Sequence, residues 1–244
     1  MIGTAVFEVE ESDILWEPIR QLVEEHRLPD FAYTRFTKKE LETANQLVLR
    51  PSWHWSYPQP QDGFGYLEMT YDTRDHCDQC GMGGVQKAPF RVLRQPAWGK
   101  HDILQLNWVF DEYFVTRRAY HEVFEPLGIG NREVVKHRDG SVVDDILQFR
   151  IDTVSRVPLN LDGFPSEVCS KCGRRKYLLV SRGPLPPFAG YPGDVPILKT
   201  QEYFGSGGSA FREGVVSNRL YSAMVRYGVK GVSYYPIGEF REFV

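Results

Sequence analysis

Apolar side chains first recur at helical spacing in "SDILWEPIRQLVEEHRLPD", where Leu15, Ile19, Leu22 and Val23 fall on one face. The helix they predict must stop near Leu28, because Pro29 disfavours the helical region for the residue before it. A second helix is predicted in "TKKELETANQLVL": Thr37 and Glu40 have capping-box spacing, and Leu41, Ala44 and Val48 share a face. In "RPSWHWSYPQPQDGFGY" proline and glycine interrupt every period, which reads as an ordered loop or, alternatively, a linker.

Beyond that loop the pattern runs twice. "CGMGGVQKAPFRVL" has a counterpart in "CGRRKYLLVSRGPL", a glycine turn leading into a strand. "HDILQLNWVFDEYF" is matched by "GDVPILKTQEYF", both ending Glu-Tyr-Phe at Glu112 to Phe114 and Glu202 to Phe204. "VTRRAYHEVFEPLGIG" then parallels "VSNRLYSAMVRYGVKG", with Thr116 and Ser217 as N-caps and Gly128 and Gly228 as C-caps. Ala119, Val123 and Phe124 align with Leu220, Met224 and Val225 as the apolar face, and "NREVV" and "VSYYPI" follow as strands. The second copy carries an insertion after Phe204, "GSGGSAFREGV".

The fold class expected is α+β, two pseudo-repeated subdomains of cysteine turn, strands, helix and strand. Residues 1–66 read as an N-terminal helical and loop segment packed on the rest, 67–160 as the first repeat and 161–244 as the second, together one globular unit. Two copies are too few for a solenoid. The plain alternative is a chance likeness of two ordinary strand–helix stretches.

Composition narrows the function. The chain has 244 residues, 42% hydrophobic and 25% charged, as expected of a globular protein. With 29 basic and 32 acidic side chains its net charge is −3, which argues against a broad phosphate-binding surface. No secretory signal opens the sequence, and no stretch approaches the roughly 18 apolar residues of a membrane span. A cytoplasmic location is expected, where disulfides are the less common use of thiols.

All four cysteines, Cys77, Cys80, Cys169 and Cys172, lie in two Cys-x-x-Cys-Gly turns. Zinc takes four tetrahedral ligands, and two such turns supply four thiolates. The following glycines, Gly81 and Gly173, permit positive φ, so backbone N–H groups can point back at the sulfurs. One structural Zn²⁺ shared between the repeats is therefore expected. A rubredoxin-like iron site and unmetallated thiols or disulfides stay open. Lys171, Arg174, Arg175 and Lys176 follow the second turn and would offset the −2 charge of a zinc tetrathiolate; their alternative use is to grip nucleic acid. His76 and His101 are read as surface or neighbouring groups and not as ligands.

No catalytic motif of the His-Glu-x-x-His or Gly-x-Ser-x-Gly kind occurs, and no enzyme is expected. "GSGGS", Gly205 to Ser209, lacks the Gly-Lys-Ser/Thr ending of a phosphate loop and reads as a flexible loop. Asp144 and Asp145 read as solvated turn residues. Trp53, Trp55 and Tyr57 would share one face of a strand, as core or as an interface anchor.

On Cys77-Asp78-Gln79-Cys80-Gly81, Cys169-Ser170-Lys171-Cys172-Gly173 and the C-terminal "GVKGVSYYP", the chain resembles the bacterial double-CXXCG motif family from about Tyr66 onward. The resemblance implies an immunity protein of the contact-dependent toxin systems of swarming bacteria. Such a protein is non-enzymatic, and it neutralises a cognate toxin by binding it in the cytoplasm. By position the four cysteines carry over as metal ligands, and no toxin-contacting residue does. The alternative function is a zinc-ribbon nucleic-acid-binding protein.

Overall fold

In the computed structural model, which describes residues 8–10, 12–28, 34–180 and 182–239, the first helix is α1, Trp16–His26. It closes at Arg27, whose N–H reaches the carbonyls of Val23 and Glu24, one residue short of the predicted stop. No residue of α1 is buried, and Leu22 is exposed. The capping box forms: Thr37 Oγ1 accepts from the Glu40 N–H while the Glu40 carboxylate accepts from the Thr37 N–H. Helix α2, Lys38–Thr43, is nonetheless shorter than predicted, and Val48 belongs to strand β1, Gln46–Pro51. Leu47, Val48 and Leu49 are all buried. Three consecutive buried residues need cover on two sides, which an interior strand gives and a surface helix does not.

The first large sheet gathers β4 (Arg91–Val92), β5 (Ile103–Leu104), β6 (Phe114–Val115), β7 (Gly130–Lys136) and β8 (Val142–Arg150). Before it come α3 (Tyr66–Thr70) and a two-residue pairing of β2 (Tyr71–Asp72) with β3 (Val85–Gln86). The strand order is β4-β7-β8-β6-β5, antiparallel except for β4 and β7. The connection from β6 to β7 is α4 (Arg117–Ala119), a π-helical turn (Tyr120–Phe124) and a 3-10 turn (Glu125–Leu127). Thr116 Oγ1 caps its start by accepting from the Ala119 N–H, and Gly128 at φ 75° ends it.

The second large sheet holds β11 (Ile197–Lys199), β12 (Gly214–Ser217) and β13 (Val232–Pro236) with β1, in the fully antiparallel order β11-β12-β1-β13. Helix α5, Asn218–Tyr227, joins β12 to β13; Ser217 Oγ accepts from the Leu220 N–H, and Gly228 at φ 80° closes it. A small hairpin, β9 (Ser166–Val168) with β10 (Arg175–Tyr177), comes before β11 in the chain. In both sheets the strands before and after the helix flank a third strand, β8 in one and β1 in the other. A short strand, β5 or β11, borders the strand before the helix on its other side.

Alternation along the strands sorts side chains to the two faces of each sheet. Leu47 and Leu49 of β1, Ile103 of β5, Val115 of β6, Leu147 and Phe149 of β8 and Val216 of β12 enter one core, together with Val123 and Phe124 and with Leu220, Tyr221 and Met224 of α5. Both sheets and both helical connections thus share a single apolar interior. Val225, predicted on that face, is 47% exposed, because the buried stripe of α5 ends at Met224 and the next position turns outward. The opposite faces have cores of their own: Phe90, Leu104, Phe114, Val134 and Ile146 under the first sheet, and Val48, Leu159, Leu185 and Phe204 under the second. Trp53 and Trp55 pack against the former while partly buried, and the Tyr57 ring lies 4.4 Å from that of Trp108.

Candidate metal centre

Each cysteine turn sits at the tip of a short hairpin, β2–β3 for the first and β9–β10 for the second. The two turns close by the same pair of backbone bonds. Cys77 N–H donates to Met82 O at 2.8 Å and Gly81 N–H to Cys77 O at 2.7 Å; Cys169 N–H donates to Arg174 O and Gly173 N–H to Cys169 O, both at 2.9 Å. Gly81 and Gly173 hold φ of 80° and 71°, the left-handed conformation these turns require.

The folding of the intervening chain brings the turns together. Cys77 and Cys169 Sγ lie 3.8 Å apart, Cys80 and Cys172 Sγ 3.6 Å apart, and all four sulfurs fall within 4.8 Å of one another. A tetrahedron of thiolates at the Zn–S length of about 2.3 Å has edges of about 3.8 Å. The four cysteines fit a single metal ion in size and in chemistry. Between the cysteines, the second residue of one turn meets the third of the other, in both directions: Lys171 Nζ lies 2.6 Å from Asp78 Oδ1, and Gln79 Nε2 donates to Ser170 Oγ at 2.9 Å. Arg174 adds a bond to the Asp75 carbonyl at 2.6 Å.

Proton affinities within the cluster are uneven. The backbone N–H groups of Cys172 and Lys171 hold the Cys169 thiol down to about 6. Burial resists ionisation of Cys77, but the N–H groups of Cys80 and Gln79 prevail and lower it. Burial pushes Cys80 up to about 12. Sulfurs this close cannot all carry charge without a cation among them. A metal ion held among the four sulfurs would supply that cation and displace the remaining protons.

The inserted segment after Phe204, read from sequence as a flexible loop, is held against the first turn. Lys176, 2% exposed, donates from Nζ to the carbonyls of Gly207 and Ser209. Gly205 N–H donates to Tyr177 O, and Phe204 and Phe211 bond to each other in both directions. Gly81 lies so near this segment that a Cβ there would be 2.6 Å from Gly208 O. Tyr203 and Ala210 pack with Met82 around the sulfurs. Sequence reasoning grouped Lys176 with the surface cations and so missed it; its one signal is its place in a strand, facing opposite to Arg175 and Tyr177. His76 and His101 lie outside the sulfur cluster, and the His101 ring stacks on Trp53 at 4.7 Å.

Comparison of the chain with family models, with curated proteins and with solved structures finds no match. Among the described residues, no helix is long and apolar enough to cross a membrane.

Proposed function

We propose that Cys77, Cys80, Cys169 and Cys172 bind one Zn²⁺ ion that clamps two pseudo-repeated subdomains in a non-enzymatic, partner-binding protein. The observation that carries the reading is the cluster of four sulfurs assembled from two turns of the same backbone geometry. Zinc is the metal best suited to four thiolates in this arrangement, and a closed Cys₄ shell leaves no position for a catalytic water.

Three further facts support the pseudo-repeat. Side-chain contacts between the turns exchange positions, as a twofold axis requires. The two large sheets share an arrangement of strands about a helical connection. Threonine and serine N-caps and glycine C-caps recur in register. On this reading β1, from residues 1–66, takes in the second subdomain the place that β8 holds in the first.

The partner class follows from the resemblance of the two Cys-x-x-Cys-Gly turns: a cognate bacterial toxin met in the cytoplasm. The nucleic-acid reading loses support from the fate of its cations. Lys171 pairs with Asp78, Arg174 bonds to Asp75 O, Arg175 donates to Ser166 Oγ, and Lys176 is buried under the loop. Co-expression with a toxin encoded beside this chain tests the function directly. Rescue of growth with a stoichiometric complex is expected; a toxin that still kills would remove the immunity reading. Salt-dependent binding to DNA or RNA would put the nucleic-acid reading in its place.

A further inference from the structure

We infer that the metal centre opens at Cys172, and that the inserted loop, latched by Lys176, confines chemical attack to that sulfur. The inference rests on the zinc reading and adds to it a site of modification by peroxides and soft electrophiles. The four sulfurs are not equally covered. Cys77 and Cys80 are 4% and 3% exposed, whereas the second turn is less covered: Cys169 is 8% exposed and Cys172 is only partly buried. The inserted loop creates this difference. Its Gly208 carbonyl sits over Gly81, Ala210 packs beside the first turn, and the buried Lys176 ammonium ties the loop carbonyls of Gly207 and Ser209 to β10. Gly173, the equivalent of Gly81 in the second turn, has nothing within 4 Å of a Cβ position. One turn is roofed and the other is open.

The chemistry follows from proximity. The Cys172 thiolate attacks one oxygen of a peroxide, the O–O bond breaks, hydroxide leaves, and a sulfenic acid remains. Cys80 Sγ, 3.6 Å away, then attacks that sulfur, and a second hydroxide leaves as the S–S bond forms. Two thiolates lose two electrons in total, and the peroxide is reduced to two hydroxides. Cys77 and Cys169 alone would no longer hold a metal ion firmly, while the Cys80–Cys172 disulfide keeps the two hairpins joined. Oxidation thus exchanges a metal clamp for a covalent one between the same two turns.

The test uses the full chain with its zinc content first measured by atomic emission. Limiting iodoacetamide followed by peptide mapping should place the label on Cys172 several-fold ahead of Cys77 and Cys80. Hydrogen peroxide should release zinc and give a peptide crosslinked through Cys80 and Cys172. Label appearing first on Cys77, Cys80 or Cys169, or a disulfide confined within one turn, would overturn the inference. The Lys176→Met variant, loaded with zinc, should extend labelling to Cys80; an unchanged pattern would remove the loop from the account. A preparation without metal would instead overturn the zinc reading, and Cys172-first labelling of that sample would separate the two failures.

Discussion

Glu112 and Lys199 meet 2.5 Å apart in the buried seam between the two sheets, Glu112 just ahead of β6 and Lys199 at the end of β11. The contact continues on both sides. Asp111 lies 3.4 Å from the same ammonium, and Gln148 donates to the far oxygen of Glu112 at 2.7 Å. Gln148 in turn exchanges two amide bonds with Gln86 of β3, so the chain of polar contacts reaches the first cysteine hairpin. Removing one member strands a buried charge. The Lys199→Met variant should lose about 3–5 kcal/mol in urea unfolding, and adding Glu112→Gln should recover part of that loss.

Alkaline pH gives the same pair a second test. Burial alone would lower the Lys199 pKa, but the carboxylates of Asp111 and Glu112 reverse this and raise it to about 12. The unfolded value is about 10.4, so the stabilisation is complete below that pH and fades as pH rises through about 12. Between these limits the melting temperature of the wild type should fall more steeply than that of Lys199→Met. Parallel curves would show that the ion contributes nothing to stability.

The two turn glycines should respond differently to one substitution. Both hold a positive φ, so alanine costs roughly 1–2 kcal/mol at either site. At Gly81 the added carbon also meets the Gly208 carbonyl at 2.6 Å, whereas at Gly173 it meets nothing. Gly81→Ala should therefore destabilise the protein more than Gly173→Ala does, as thermal unfolding would show. Equal losses would mean that the loop does not press on the first turn.

Metal removal bears on the clamp itself. Structural zinc contributes an apparent binding energy of about 10–16 kcal/mol, comparable to the ~5–15 kcal/mol net stability of a whole domain. One equivalent of zinc per chain is expected, with a large fall in melting temperature on chelation. The Cys77→Ser/Cys80→Ser variant should melt like the chelated wild type and ignore further chelator. Unchanged melting on chelation would rule out a structural metal.

Helix caps give a smaller effect on each half. Thr116→Ala and Ser217→Ala each remove an oxygen that accepts from the first turn of a helical connection. Each should cost about 1 kcal/mol in denaturant unfolding, and the double variant should lose the sum if the two sites act independently. A loss near zero for either would mean that its cap is replaced by water.

What the sequence revealed of this fold was local. Caps at Thr37, Thr116 and Ser217 and turns at Gly128 and Gly228 follow from residue type and spacing, and they occur as expected. The cysteine cluster was legible because two Cys-x-x-Cys-Gly turns of equal spacing can bring four thiols to one metal ion, and the structure gathers them. Val48 was misplaced because "QLVL" satisfies a helical face as well as a strand, and only the neighbouring strands β12 and β13 decide between them. Those partners are distant in sequence. Lys176, Lys199 and Gln148 escaped notice for a related reason: a buried polar side chain is explained by partners that tertiary structure brings to it.

The place of β1 bears on how the chain is made. Residues Gln46 to Val48 pair with Val215 to Ser217, and the outermost of these pairs spans 171 positions of sequence (217 − 46). At ribosomal speeds of about 5–20 residues per second, β1 waits roughly 10–30 s between its own synthesis and that of its partner. Through that interval the apolar run Leu47-Val48-Leu49 has no sheet to enter. The first sheet, by contrast, draws all its strands from Arg91 to Arg150 and can assemble as it emerges. Vectorial synthesis therefore gives this chain an order of events, with the sheet nearer the N-terminus ready first and the one built around the earliest strand completed last.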